Sequence, residues 1–318
     1  GTDSVRRLTQ QSRPFMENPP AGFSDTALLS LRGYLHVARA DQTAELDKAY
    51  AETKAIVPSM QRLDGDDVCA LAPLVDRSYA EAGLLEPEAM SIDVAAFHQG
   101  YLKGLVKRGG RLIAYAVTTH IGANPGGWEI VTAAGSFEAP ILVNAAGAWA
   151  DQLAVLAGVQ TIGLVPKRRT AILLDPPKGA DTKSWPMVTD IDDQFYVKPE
   201  GAGLMVSPAD ETPAPPSDVQ PEELDVAIAV DRYQMLTGLE VKRIQHQWAG
   251  LRTFAPDRDP VLGFDPDDSR FFWLAGQGGF GIMTAPGMAQ LASALITGQS
   301  LSDDLAHLAQ DISPARLR

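Results

Sequence analysis

Arginines in apolar surroundings are the residues of this chain best suited to ligand chemistry. Lys167-Arg168-Arg169 lies inside Leu164–Leu174, a segment otherwise mostly apolar, and Arg252 lies inside Trp248–Phe254, a run almost bare of other charge. In a strand, side chains alternate between faces, so Lys167 and Arg169 point one way and Arg168 the other. At least one cation then faces the inner side, where it needs a carboxylate partner. Two readings stay open. Either the arginines clamp a carboxylate ligand, or they close buried structural ion pairs.

A second signal is Gly276-Gln277-Gly278-Gly279-Phe280-Gly281, a GxGxxG run between a strand-like and a helix-like segment. Glycines let main-chain N–H groups approach an anion or a polar ring edge, and the helix start adds partial positive charge. Too little chain follows Gly281 for the second half of a nicotinamide-dinucleotide fold. The run therefore fits a different cofactor cradle or a tight strand-to-helix crossover. Asn144–Trp149 follows the same logic, an apolar strand ending in small residues before a helix. Those small side chains leave room for a ligand at the sheet edge or for close helix–strand packing.

Other chemistries fail on counting. The five histidines, His36, His98, His120, His246 and His307, show neither HxxxH nor HExxH spacing, so no metal site is expected. The single cysteine, Cys69, excludes an intrachain disulfide and any cysteine-built metal site, and reads as a small residue of a helix. No GxSxG elbow or Walker A loop occurs. With 27 basic and 40 acidic residues among 318, the formal charge is −13, which argues against nucleic acid as a partner. No apolar run approaches the length of a membrane span. The first residue is Gly1 and no signal peptide follows it, so a cytoplasmic enzyme is the default, with peripheral attachment to the inner membrane left open.

The elements that must position these residues read as interleaved strands and helices. Helices are expected over 3–17, 44–56, 92–108 (capped by Ser91), 148–157, 221–236 (with Pro221 at the first helical position) and 288–297. Strands are expected over 28–38, 111–115, 128–132, 140–145, 271–275 and through much of 163–203. Ile141–Gly147 suits a strand buried on both faces of a parallel sheet. Residues 201–220 read as a proline-rich loop. The class is α/β, one discontinuous nucleotide-type domain with a second sheet domain inserted.

These segments together resemble the D-amino-acid oxidase superfamily of FAD-dependent enzymes, over nearly the whole chain. The likeness is carried by Asn18–Phe23, His98–Leu102, Val143–Trp149, Pro166–Arg169, Trp248–Arg252 and Gly276–Ile282. The bacterial catabolic D-arginine dehydrogenases are the subgroup it resembles most. The resemblance implies an FAD-binding Rossmann-like domain over 1–26, 92–160 and 250–318, and a mixed-sheet substrate domain over 27–91 and 161–249. It implies oxidation of the CH–NH2 group of a D-amino acid to the imino acid, by hydride transfer to flavin N5, with no protein acid, base or metal. Glycine- or sarcosine-type amine oxidation, or a carboxylate-binding remnant without flavin, are its alternatives. The electron acceptor, a quinone or O2, stays open.

Residue by residue, Arg169, Arg252 and Tyr196 resemble the groups that hold the substrate carboxylate, and Gly250 and Gly279 main-chain groups near the amine and flavin. Ala145, Ala146, Gly147 and Trp149 resemble a stretch lining the FAD site. Gly276, Gly278, Gly279, Phe280, Gly281, Ile282 and Met283 resemble the loop and helix start at the flavin's pyrimidine edge. Two departures matter. Tyr34 stands where D-arginine dehydrogenases carry an acid for the guanidinium, and Met283 where they carry an amide. With Met187 nearby by the same matching, a neutral, apolar or aromatic D-amino acid is expected. The family's first βαβ unit, which carries the pyrophosphate-binding glycines, has no counterpart after Gly1, so an N-terminally incomplete FAD domain is expected.

Overall fold

The computed structural model describes residues 1–318. In chain order the elements are α1 (Asp3–Glu17), β1 (Leu29–Leu31), β2 (Tyr34–Ala38), α2 (Thr43–Lys54), β3 (Gln61–Asp64), α3 (Gly65–Leu71), β4 (Ala82–Glu86), β5 (Met90–Ile92) and α4 (Val94–Lys107). Next come β6 (Thr118–Asn124), β7 (Gly127–Thr132), β8 (Gly135–Ala139), β9 (Leu142–Asn144), α5 (Ala150–Leu156), β10 (Val165–Leu174), β11 (Met187–Asp190), β12 (Tyr196–Glu200) and β13 (Gly203–Ser207). The chain closes with β14 (Thr212–Pro213), α6 (Glu223–Thr237), β15 (Ile244–Phe254), β16 (Val261–Phe264), β17 (Phe271–Ala275), α7 (Gly281–Thr297) and α8 (Asp303–Asp311).

The mixed α/β class holds, with several sheets. The largest has nine strands in the order β14-β10-β13-β12-β11-β2-β4-β3, with β15 also on β10. β10 and β15 pair antiparallel along almost their whole length, and β2 and β11 are its parallel pair. One face is apolar by alternation. Leu35, Val37, Ile172, Leu174, Val188, Val197, Leu204 and Val206 all enter a buried core with Ala229, Tyr233 and Leu236 of α6. The other face carries Tyr34, His36, Met187, Thr189, Tyr196, Lys167, Arg169, Trp248 and Arg252, as the register requires.

A second sheet has the order β16-β17-β9, with β9 and β17 parallel. Two further cores flank it. One joins Trp128, Ala150, Ala154, Phe271 and Trp273, and the other joins Leu8 of α1 with Phe272, Met288 and Leu291. α1 lies against α7, where the Gly287 N–H donates to Ser12 Oγ at 2.9 Å.

Several boundaries differ from expectation, each for a local reason. Gly33, with φ of 75°, breaks 28–38 into β1 and β2. Asp93, not Ser91, caps α4 by accepting from the Ala96 N–H at 2.9 Å, and Ser91 lies in β5. Pro221 precedes the cap, Glu222, so α6 starts at Glu223. The 201–220 stretch holds β13 and β14. Residues 111–115 form no strand, and Leu112 and Tyr115 are exposed. β9 is an edge strand, so Val143 is 39% exposed rather than buried on both sides. α7 begins seven residues before its predicted start, at the end of the glycine run.

Candidate active site

The β10–β15 ladder sorts the arginines by face. Arg168 lies on the core face, 5% exposed, and is fully partnered. Asp225 accepts from it at 2.8 and 3.0 Å, Glu222 accepts from Nη1, and Asp210 lies at 3.8 Å. It is a structural ion pair, and Glu222 caps α6 while Asp225 lies in its first turn, so the bonds clamp that helix to the sheet.

The opposite face is different. The register sets Lys167 opposite Arg252 and Arg169 opposite Gly250, which gathers three cations at one end of the strand pair. Glu211 answers two of them. It accepts from Lys167 at 3.1 Å, from Arg169 at 3.4 Å, and from Arg258 at 2.9 and 3.0 Å. The Arg258 bonds above all, helped by Lys167, hold its carboxyl down at about 2. Arg169 is further fixed by donating Nε to the Asp210 carbonyl at 2.8 Å. Arg252 makes neither an ion pair nor a side-chain hydrogen bond. Burial, then the adjacent Arg169 charge, lower its pKa. It is a half-buried cation with no counter-ion of its own.

The glycine run is pinned beside this cation. The Gly278 N–H donates to the Thr253 carbonyl at 2.8 Å, and Gln277 bridges Phe254. Gly278 has φ of 54°, and a Cβ there would stand 2.6 Å from the Phe254 ring, so only glycine fits. A Cβ at Gly279 would stand 3.0 Å from Arg252 Nη1. Gly276 ends β17, and Gly281, Ile282 and Met283 form the first turn of α7. Phe280 at the cap offers no side-chain acceptor, so the first N–H groups of this helix stay free for a ligand.

A cavity of about 460 Å³ adjoins the same place. It is lined by Ala145–Trp149 at the end of β9, Ser217–Val219 from the loop before α6, and Ala249–Leu251 of β15. That is the size of a small-molecule cofactor site. Its walls are small residues and backbone, and Gly147 and Gly250 present open space where a side chain would stand.

Residues 2–295 match the DAO family of FAD dependent oxidoreductases. The chain belongs to that family. Its cofactor is FAD. The family's fold accounts for both parts of the molecule, a Rossmann-like part around the β9–β17 pair and the large inserted sheet. The glycine oxidase of Bacillus licheniformis is 26% identical over 267 residues, covering 82% of this chain and 69% of that protein. The mitochondrial dimethylglycine dehydrogenase of Mus musculus is 24% identical over 254 residues, covering 73% of this chain and 29% of that one. Among solved structures, glycine oxidase from Geobacillus kaustophilus superposes with a TM-score of 0.83 at 21% identity, over 97% of this chain and 83% of that one. Iminodiacetate oxidase from Chelativorans does so with 0.83 at 18%, over 98% and 85%. No helix of the fold is long and apolar enough to cross a membrane.

The structure brings some of the residues singled out in the sequence together and separates others. Arg169, Arg252, Gly250 and Gly279 cluster around the cation end. Tyr196 lies on the same face of the sheet. Tyr34 and Met187 face each other across β2 and β11, farther along the sheet. Sequence reasoning missed Glu211, Arg258, His36 and Thr189. Alternation from Tyr34 would have found His36. Glu211 had no such signal, because it sits in a loop whose path only the fold defines.

Proposed function

We propose that this chain binds an amine-bearing carboxylate beside FAD and oxidises its Cα–N bond, with a neutral D-amino acid as substrate. The observation that carries this reading is Arg252. A half-buried guanidinium with no protein counter-ion, beside the glycine loop, is a natural seat for an anion. A substrate carboxylate supplies that anion, with Tyr196 and Arg169 as supporting donors. Glu211 and the Asp210 carbonyl hold Arg169 in place, so the anchor is rigid before the ligand arrives. Met187 and Tyr34 line the side-chain end, and neither is a carboxylate that would hold a guanidinium. The D configuration comes from the resemblance.

FAD, when bound, supplies the two-electron acceptor. Gly278 to Met283 would meet its electron-rich edge with main-chain donors and the positive end of α7. Ala145, Ala146, Gly147 and Trp149 would line the rest. The distribution of cores supports the division into a cofactor domain over 1–26, 92–160 and 250–318 and a substrate domain over 27–91 and 161–249. The open edge of β9 supports a further parallel strand there, which would bring the pyrophosphate-binding glycines.

A second reading is favoured by the relatives. Glycine oxidase and dimethylglycine dehydrogenase act on the smallest carboxylated amines, as their names state. Visible flavin absorbance of the purified protein, followed by turnover of a D-amino-acid panel against glycine and sarcosine, separates the two. Highest kcat/KM for a neutral D-amino acid supports the first reading. Highest kcat/KM for sarcosine supports the second, and highest for D-arginine overturns the side-chain argument.

A further inference from the structure

Four residues other than glycine hold a positive φ in this chain, and one of them, Arg258 at 68°, borders the cation cluster. Glycine takes that conformation freely, whereas a residue with a Cβ does so at a cost. The turn is held from both sides. The Arg258 N–H donates to the Ala255 carbonyl at 2.9 Å. Arg316 donates to the Asp257 carboxylate at 2.7 Å and to the Asp259 carbonyl at 2.9 Å. A left-handed arginine that its neighbours hold in place points to a use for its side chain.

That side chain is engaged by Glu211. Nη1 and Nη2 of Arg258 donate to one carboxylate oxygen each, at 3.0 and 2.9 Å. Lys167 donates to the first of those oxygens at 3.1 Å, and Arg169 to the second at 3.4 Å. Each oxygen therefore has two donors, which fills the lone-pair sites of the carboxylate. Three cations share one anion, and Arg258 makes two of its four bonds.

Arg252 is the cation next to this group. It lies opposite Lys167 across the β10–β15 ladder, and two residues before Phe254 on the same face of β15. The Glu211 partners stand over that Phe254 ring, the Arg258 guanidinium 4.3 Å and Lys167 Nζ 5.2 Å from its centre. Alternate residues of a strand are about 7 Å apart, so Glu211 and Arg252 are neighbours on one surface. Without Arg258, Glu211 would keep its charge and have two lone-pair sites vacant, with Arg252 beside it and bonded to no carboxylate.

We infer that Arg258 is a positioning residue for the substrate carboxylate, which it serves by engaging both oxygens of Glu211 and so keeping the chain's own acid off Arg252. An internal and an external carboxylate compete for one guanidinium, and Arg258 decides that competition for the external one. The inference rests on the reading of Arg252 as carboxylate anchor.

Calorimetric titration of the full chain with propionate tests it. Arg258→Gly is expected to bind propionate about ten-fold more weakly, with its thermal midpoint held because glycine suits the positive φ. Adding Glu211→Gln to Arg258→Gly is expected to restore the affinity, because an amide carries no charge with which to compete. A merely structural arginine would gain nothing from that second substitution. Equal affinity in Arg258→Gly overturns the inference alone, as does a loss that Glu211→Gln leaves uncorrected. Glu211→Gln by itself reads the same competition should Arg258→Gly not fold. It is expected to bind propionate at least as tightly as the unaltered chain, and weaker binding overturns the inference. An unaltered chain that binds no propionate overturns the anchor reading and the inference with it.

Discussion

Arg168 and Arg252 sit in the same pair of strands, each in apolar surroundings, and have opposite fates. Arg168 faces the core and is enclosed by Asp225, Glu222 and Asp210. Arg252 faces the other way, shares its space with Lys167 and Arg169, and has no carboxylate bonded to it. Burial alone does not separate a structural arginine from a ligand-binding one. What separates them is whether the protein supplies the counter-charge. A fold that half-buries a cation and withholds the anion has left a place for one from outside.

The largest expected effect comes from breaking the satisfied member. Arg168→Met leaves buried carboxylates unpaired and is expected to cost about 3–5 kcal/mol in equilibrium denaturation. Arg252→Leu removes an unpaired cation and is expected to leave stability level or slightly higher. The contrast collapses if Arg252→Leu is the more damaging of the two.

A smaller effect is expected at the cofactor cradle. Gly278→Ala forces a side chain into a positive-φ position against the Phe254 ring, at about 1–3 kcal/mol, and flavin retention after gel filtration should fall with it. Unaltered flavin content and stability would separate the glycine run from the cofactor.

The smallest concerns Glu211, which tunes the cation cluster. Its folded-state pKa, about 2, lies below the usual 4.5, so its contribution to stability is complete above about pH 5 and is lost as pH falls towards 2. Partial exposure screens it. Glu211→Gln should therefore be less stable than the unaltered chain at neutral pH, and the gap should close on acidification over that window. A gap independent of pH would remove Glu211 from the cluster.

The arginine dilemma shows what the sequence could carry. Alternation put Arg168 and Arg169 on opposite faces, but which face was core depended on α6, whose Glu222 and Asp225 lie more than fifty residues away. The strand–glycine–helix pattern placed β17, the loop and α7 because those signals are local. The segment 111–115 has a strand's apolar composition but no partner strand, and pairing is not a local property. His36 was legible by spacing, yet its unpartnered Nδ1 emerges only when all neighbours are in place. Met187 and Tyr34 came from family matching, and only the parallel β2–β11 register shows that they face each other.

The central claim is that Arg252 is the anchor for a substrate carboxylate. Titration of the protein with propionate, a carboxylate without an oxidisable amine, measures it directly, comparing the unaltered chain with Arg252→Leu at equal thermal stability. The account predicts that Arg252→Leu weakens Kd by about 100-fold, the worth of a charge-assisted hydrogen bond in a partly desolvated site. Unchanged affinity in a folded Arg252→Leu protein would contradict it.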